Sequence, residues 1–291
     1  MQRRVWGAFG LVFFVASLEA QEVGPKTGSL VIVGGAMEDD FIMERFVELA
    51  GGPEAPMVII PTAGEGDHYD GYYPGVRPWR EFGVKDITVL HTRDRNVANS
   101  DEFTAPIRRA RSVWFPGGRQ WRLADSYLDT RTELELQALL ARGGVIGGSS
   151  AGATIQGSFL VRGDTKTNTL MVGDHVEGFG FLKNVAIDQH LLARNRHFDL
   201  IPVIERNRHL LGIGIDEDTA IVVRGDNFEV VGKSVVAIYD YERTLNGEGR
   251  FYFLRAGDTF DLNTRVARRR DFSAEPFEMV KTEPWPDRDR N

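Results

Sequence analysis

The chain has 291 residues, 42% hydrophobic and 26% charged, which is ordinary globular composition and enough for one large α/β domain with a β-rich end. A formal charge of −7, with no basic face carrying interleaved aromatics, argues against nucleic-acid binding. The absence of cysteine excludes disulfides, thiolate metal sites, a cysteine nucleophile and a lipoprotein anchor together.

Arg3 and Arg4 precede an apolar run over residues 5–16, too short for a comfortable membrane span. Small residues follow, so residues 1–20 read as an export signal cleaved after Ala20. The mature protein is then expected to be periplasmic or extracellular and free of the membrane.

A short linker leads to Ser29–Val33, a buried first strand that runs into Gly34 and Gly35. Glu38, Asp39 and Asp40 open a helix with Phe41, Ile42, Arg45, Phe46 and Leu49 at roughly helical spacing. Residues 57–60 form a second strand that ends in Pro61-Thr62-Ala63-Gly64. Residues 67–82 are aromatic and broken by proline, and read as a loop followed by a helix. Residues 87–90 are a third strand. A short helix around residues 106–110 precedes a fourth strand, Ser112–Phe115.

Continuous apolar strands alternating with helical segments indicate a mostly parallel sheet with helices on both faces. Ligands of such sheets sit at the carboxyl ends of strands. Four of those ends carry small residues: Gly34-Gly35, Thr62-Ala63, Gly117-Gly118 and Gly148-Ser149-Ser150. The last belongs to residues 144–153, where an apolar run ends in glycines and a serine. It follows a helix over residues 133–142 whose apolar side is Leu134, Leu136, Leu139 and Leu140. Gly148, Ser150 and Gly152 fit G-x-S-x-G, a sharp strand-to-helix turn whose small neighbours let the two backbones approach. The helix starting at Ala151 aims free N–H groups at the place where negative charge would develop.

Residues 158–183 are polar and irregular. Residues 185–190 form another strand, ending at His190, and a helix follows over residues 198–206. Residues 211–217 are a strand that ends in carboxylates. From Thr219 the pattern changes to short strands over residues 220–223, 228–231 and 235–239, read as an antiparallel meander.

A serine hydroxyl needs a base within hydrogen-bond reach and a third group to orient that base. Of six histidines, only His190 ends a strand beyond the serine turn. The acid should follow it, and Asp216, Glu217 and Asp218 all qualify. The order Ser, His, acid differs from the Ser, acid, His order of α/β-hydrolases, which only Asp164 or Asp174 would restore. No tight His/carboxylate spacing points to a metal, and no phosphate-cradling loop points to nucleotide hydrolysis.

Several separate pieces resemble the cyanophycinase-like serine peptidases, the family that also holds aspartyl dipeptidase. They are Gly34-Gly35-Ala36, Pro116-Gly117-Gly118-Arg119-Gln120, residues 147–153, Asp188-Gln189-His190 with Arg194 and Arg196, and residues 212–220. The resemblance implies a flavodoxin-like fold of the class I glutamine-amidotransferase type, with a C-terminal antiparallel β extension. It implies a Ser150–His190–Glu217 triad and an oxyanion hole from Ala151, Gly117 and Gly118. It further implies substrate contacts from Gln120, Asp188, Gln189, Arg194 and Arg196, and neither metal nor cofactor. A peptidase domain would span residues 29–240, with an extension and charged tail over 241–291.

The implied activity is hydrolysis of aspartyl-linked peptides through an acyl-enzyme, with release of β-aspartyl-arginine dipeptides from cyanophycin. The alternatives are an aspartyl or isoaspartyl dipeptidase, or a non-catalytic binding protein on the same scaffold. The resemblance also suggests a homodimer, although no interface stripe is legible. One position departs from the family: Asp199 stands where cyanophycinases carry a third arginine after the histidine, which reverses the local charge. Asp199 is expected instead at the start of a helix, paired with Arg196.

Overall fold

The structure is a computed structural model describing residues 22–38, 40–243 and 249–270. The export signal over 1–20, Asp39 and the tail from residue 271 lie outside the described residues.

Strands β1 (Ser29–Val33), β2 (Met57–Ile59), β3 (Ile87–Val89), β4 (Ser112–Phe115) and β5 (Val145–Ser149) run parallel in the order β3-β2-β4-β5-β1. The sheet is covered on both faces, so its central strands can be apolar at successive positions. On β1, Val31 and Val33 pack toward α1 (Asp40–Ala50) and α2 (Arg77–Glu81), against Ile42, Phe46 and Trp79. Leu30 and Ile32 face the other way. There they meet Ile107, Tyr127 and Leu136, borne by α4 (Asp101–Arg109), α5 (Gln120–Tyr127) and α6 (Arg131–Ala141). The single turn α3 (Arg95–Ala98) leads into α4.

Past β5 comes one helical turn, α7 (Ala151–Thr154). Then β6 (Gly157–Phe159), β7 (Leu182–Gln189) and β8 (Leu211–Ile215) build a second, parallel set, with α8 (Ile201–Arg206) between β7 and β8. Val185, Ile187, Ile213 and Ile215 share a core with Leu30 and Ile32, so this sheet lies over the same face of the first as α4–α6. Its other face packs through Ala186 and Tyr239 on Val203 and Ile204 of α8. β9 (Thr219–Arg224) and β10 (Asn227–Gly232) return to the first sheet as an antiparallel hairpin beside β1. β11 (Val235–Asp240) and β12 (Tyr252–Arg255) extend the second sheet from β8, and β13 (Thr259–Asp261) and β14 (Val266–Arg268) finish the first. Among the described residues the sheets hold nine and five strands.

Several expectations need correction. The anticipated meander divides: β9 and β10 pair with each other, but β11 crosses to β8, because Val236 and Ile238 fill the space between the sheets. α4 begins at Asp101 rather than near Pro106, which lies inside it. Ser100 caps it, its hydroxyl accepting the Phe103 N–H at 3.2 Å, and Asp101 and Glu102 suit the positive end of the helix dipole. On α6 the buried side is Leu136, Leu139 and Leu140, while Leu134 points to solvent at 70% exposure. α5 was not anticipated, although Leu123, Ala124 and Tyr127 have helical spacing and are buried.

Candidate active site

The end of β1 holds the loops that carry Ser150, His190 and Asp218. The carbonyl of Val33 accepts the Ser150 N–H at 3.0 Å, that of Gly34 accepts the His190 N–H at 2.8 Å, and that of Gly35 accepts the Asp218 N–H at 2.9 Å. One short stretch therefore fixes the loops after β5, β7 and β8 relative to each other. The four small-residue strand ends of the sequence reading belong to β1, β2, β4 and β5, parallel neighbours in one sheet.

Ser150 has φ 57° and ψ −111°, a conformation costing about 1–3 kcal/mol for a residue with a side chain. It is held there because β5 must turn sharply into α7. Gly152 makes the turn possible: a Cβ there would collide with the carbonyl of Phe115 at the end of β4. Gly117 lies against Ser150, where a Cβ would sit 3.3 Å from Ser150 Cβ and 3.7 Å from its Oγ. Among the described residues the N–H groups of Gly118 and Ala151 have no protein acceptor beside this serine. They are free to meet a developing oxyanion.

His190 Nε2 lies 2.8 Å from Ser150 Oγ, and its Nδ1 lies 2.5 Å from Glu217 Oε1. A carboxylate on Nδ1 fixes the proton there and leaves the Nε2 lone pair for the serine hydroxyl. Burial holds the His190 pKa below the ordinary 6.5, helped by the positive charges of Arg194 and Arg196 and opposed by Glu217. The imidazole is thus neutral near pH 7, the state a general base requires. Gly35 (φ 141°) is flat against this ring, and a Cβ would enter the imidazole. That role was legible only as part of a glycine pair.

The acidic trio left open by spacing separates into three roles. Asp216 accepts the N–H groups of Leu192 and Ala193 at 2.8 and 3.0 Å and the Ser234 hydroxyl at 2.6 Å, pinning the loop that follows His190. Asp218 accepts the Glu38 N–H at 2.8 Å and pairs with Lys233. Glu217 alone reaches the histidine.

The residues expected at the substrate fall into two groups. Arg194 is exposed, and among the described residues its side chain pairs with no carboxylate. Arg196 is buried and donates to the Gln189 side-chain and backbone oxygens at 2.5 and 3.1 Å. Gln120 is buried too, its amide donating to the Val161 carbonyl at 2.9 Å. Asp188 is a correction. It is 0% exposed and both its oxygens accept from Arg162, at 2.7 and 2.9 Å, so it supports the site from beneath rather than facing a substrate. Asp199 is another, since its partner is Arg162 at 2.6 Å and not Arg196. Sequence reasoning missed Arg162 entirely, and nothing local distinguishes it from a surface arginine.

Two other histidines serve elsewhere. His91 Nδ1 lies 2.9 Å from Thr62 Oγ1, and His175 sits between Asp125 and Asp174. Among the described residues no group of three His, Cys, Asp or Glu is arranged to hold a metal, and no helix is long and apolar enough to cross a membrane.

The sequence pattern of peptidase family S51 matches residues 30–231. The cyanophycinase of Geminocystis herdmanii is 34% identical over 226 residues, covering 73% of this chain and 80% of its own. That of Trichormus variabilis is 33% identical over 276 residues, covering 86% and 91%. Among solved structures, a peptidase from an acI-B1 Actinobacterium matches with TM-score 0.59 and 25% identity, covering 82% of this chain and 98% of its own. A putative peptidase E from Listeria monocytogenes matches at TM-score 0.51 and 19% identity, covering 71% and 99%, and shares the fold.

Proposed function

Since the chain belongs to peptidase family S51 and is a serine-type peptidase, we propose that it hydrolyses aspartyl-linked peptides, with cyanophycin as polymer substrate and β-aspartyl-arginine dipeptides as products. The names of its cyanophycinase relatives support the substrate class. The observation that carries the mechanism is the unbroken hydrogen-bonded chain from Ser150 Oγ through His190 to Glu217.

In this reading Ser150 Oγ attacks the scissile carbonyl carbon while His190 Nε2 takes the hydroxyl proton. The carbonyl electron pair moves onto oxygen, where the N–H groups of Ala151 and the Gly117-Gly118 loop receive it. Glu217 stabilises the imidazolium. Collapse of the tetrahedral species breaks the C–N bond, and His190 gives its proton to the leaving amine. Water then attacks the acyl-enzyme with His190 again as base, the product acid departs, and the Ser150 hydroxyl is restored. Arg194 and Arg196 supply positive charge for an anionic group of the substrate, with Gln189 orienting Arg196 and Gln120 bracing the wall beside it. The reading includes export through residues 1–20 and a homodimer of the mature chain. N-terminal sequencing of the exported protein and its mass in solution measure those two points.

The test is to incubate the mature protein with cyanophycin and with a panel of β-aspartyl dipeptides and to identify products by mass. Dipeptides released from the polymer are expected. Turnover of free dipeptides alone would replace this reading with a dipeptidase. No turnover of either would leave a binding protein on the same scaffold.

A further inference from the structure

Arg196 is a buried cation, 7% exposed, whose guanidinium donates to both oxygens of the neutral residue Gln189. Among the described residues it makes no ion pair. A buried charge is ordinarily matched by an opposite one. Two carboxylates lie close at hand in the chain. Asp188 precedes Gln189 by one residue, and Asp199 follows Arg196 by three.

Both carboxylates are occupied by Arg162. Its Nε donates to Asp188 Oδ1 at 2.7 Å, and its Nη2 to Asp188 Oδ2 at 2.9 Å and to Asp199 Oδ2 at 2.6 Å. Its Nη1 donates to the Asn168 carbonyl at 3.1 Å. The two aspartates thus converge on one guanidinium nitrogen. Arg162 is 2% exposed with φ 55°, so it is too enclosed to touch a substrate. Such a bidentate fork is a geometry that lysine cannot reproduce.

We infer that Arg162 is a positioning residue for substrate binding: by holding Asp188 and Asp199, it leaves Arg196 without a carboxylate and so ready for an anionic group of the substrate. The inference rests on the reading that the substrate presents a carboxylate beside the scissile bond. Arg162, Asp188 and Asp199 all act electrostatically on Arg196, whose pKa is lowered by burial first and by Arg162 next, with both aspartates opposing. Removing Arg162 would therefore leave two unpaired carboxylates acting on Arg196.

The test separates charge from mere cross-linking. Arg162→Gln should raise KM for an aspartyl peptide about tenfold or more while kcat and the rate of Ser150 labelling by a fluorophosphonate stay within about threefold. The triple variant Arg162→Gln, Asp188→Asn, Asp199→Asn keeps the shapes but removes the charges, and should return KM to within about threefold of wild type. A triple variant as impaired as the single one would overturn the inference, because then only the cross-link matters. An unchanged KM in Arg162→Gln would overturn it too. Should Arg162→Gln not fold, Asp199→Asn serves, since Asp199 is partly exposed. It leaves Arg162 on Asp188 and should lower KM, and a raised KM would contradict the inference. The His190 imidazole, titrated by NMR in a Ser150→Ala background, needs no substrate. It should titrate higher in Arg162→Gln and fall back in the triple variant, and no movement would count against the inference. Failure of wild type to cleave any aspartyl peptide, by contrast, would strike the proposed function, with the His190 titration still testing Arg162.

Discussion

Around Ser150 the supporting groups are backbone amides and missing side chains. Around His190 and Glu217 they are carboxylates and guanidiniums. Ser150 follows β5 of the nine-stranded sheet, where Gly117 and Gly152 let three backbones crowd together. His190 and Glu217 follow β7 and β8 of the five-stranded sheet, where Asp216, Arg162 and Arg196 fix the loops by charged hydrogen bonds. The difference teaches that one half of the site is built by sterics and the other by charge, with the carbonyls of β1 joining them. Substitutions on the two sides should therefore fail differently.

The largest effect belongs to Ser150→Ala, which should cut kcat about a millionfold with thermal stability little changed, since alanine keeps the Cβ and so the same strained backbone at φ 57°. Steady-state kinetics and a melting curve check both halves. Glu217→Gln comes next, at about ten-thousandfold in kcat, because the imidazole loses both its orientation and its stabilising charge. It should also move the acid limb of the kcat/KM profile to lower pH, since Glu217 raises the His190 pKa and its loss leaves burial unopposed. Wild type itself should keep its acid limb below the ordinary histidine value. A limb above 6.5 would break the contrast, for it would mean charge and not burial governs the base.

Gly35→Ala tests the steric side directly, although it acts on the histidine. The added methyl displaces the ring, so kcat should fall about a hundredfold with little change in the pH profile. The stretches around these positions also show what was legible in the sequence. β1 and β4 have the bounds expected of them, because apolar runs ending in glycine are local signals. Ser150, its flanking glycines and the histidine at a strand end were readable for the same reason. The division into two sheets was not, because β8 and β9 are both apolar and nothing within either says which sheet it joins. Arg162 was invisible for a related reason: its partners lie 26 and 37 positions away, and only the tertiary fold brings them to one nitrogen. Among Asp216, Glu217 and Asp218, spacing was silent because all three are carboxylates at one strand end, and each finds its partner on a different element.

Smaller effects follow on the charged side. Asp216→Ala strips the acceptor from the Leu192 and Ala193 amides and should destabilise the fold by about 1–3 kcal/mol in chemical denaturation, with a modest loss of kcat. The smallest concerns His175, whose two ring nitrogens lie 2.7 Å from Asp125 and 2.9 Å from Asp174, tying residues 163–177 to α5. Burial lowers its pKa, but the two carboxylates outweigh it, and the net shift is upward from 6.5. The native state then holds a proton the unfolded chain releases, so this contribution is full below pH 6.5 and is lost as pH rises through the raised value. The stability gap between wild type and His175→Gln should narrow over that window, and a gap that widened with pH would reverse the assignment.

The central claim is that Ser150 is the group activated by His190, and mass spectrometry of the protein treated with a fluorophosphonate tests it most directly. One adduct on the peptide carrying Ser150, absent in Ser150→Ala and formed far more slowly in His190→Ala, is the predicted result. An adduct on another residue, or labelling of Ser150 indifferent to the loss of His190, would contradict the account.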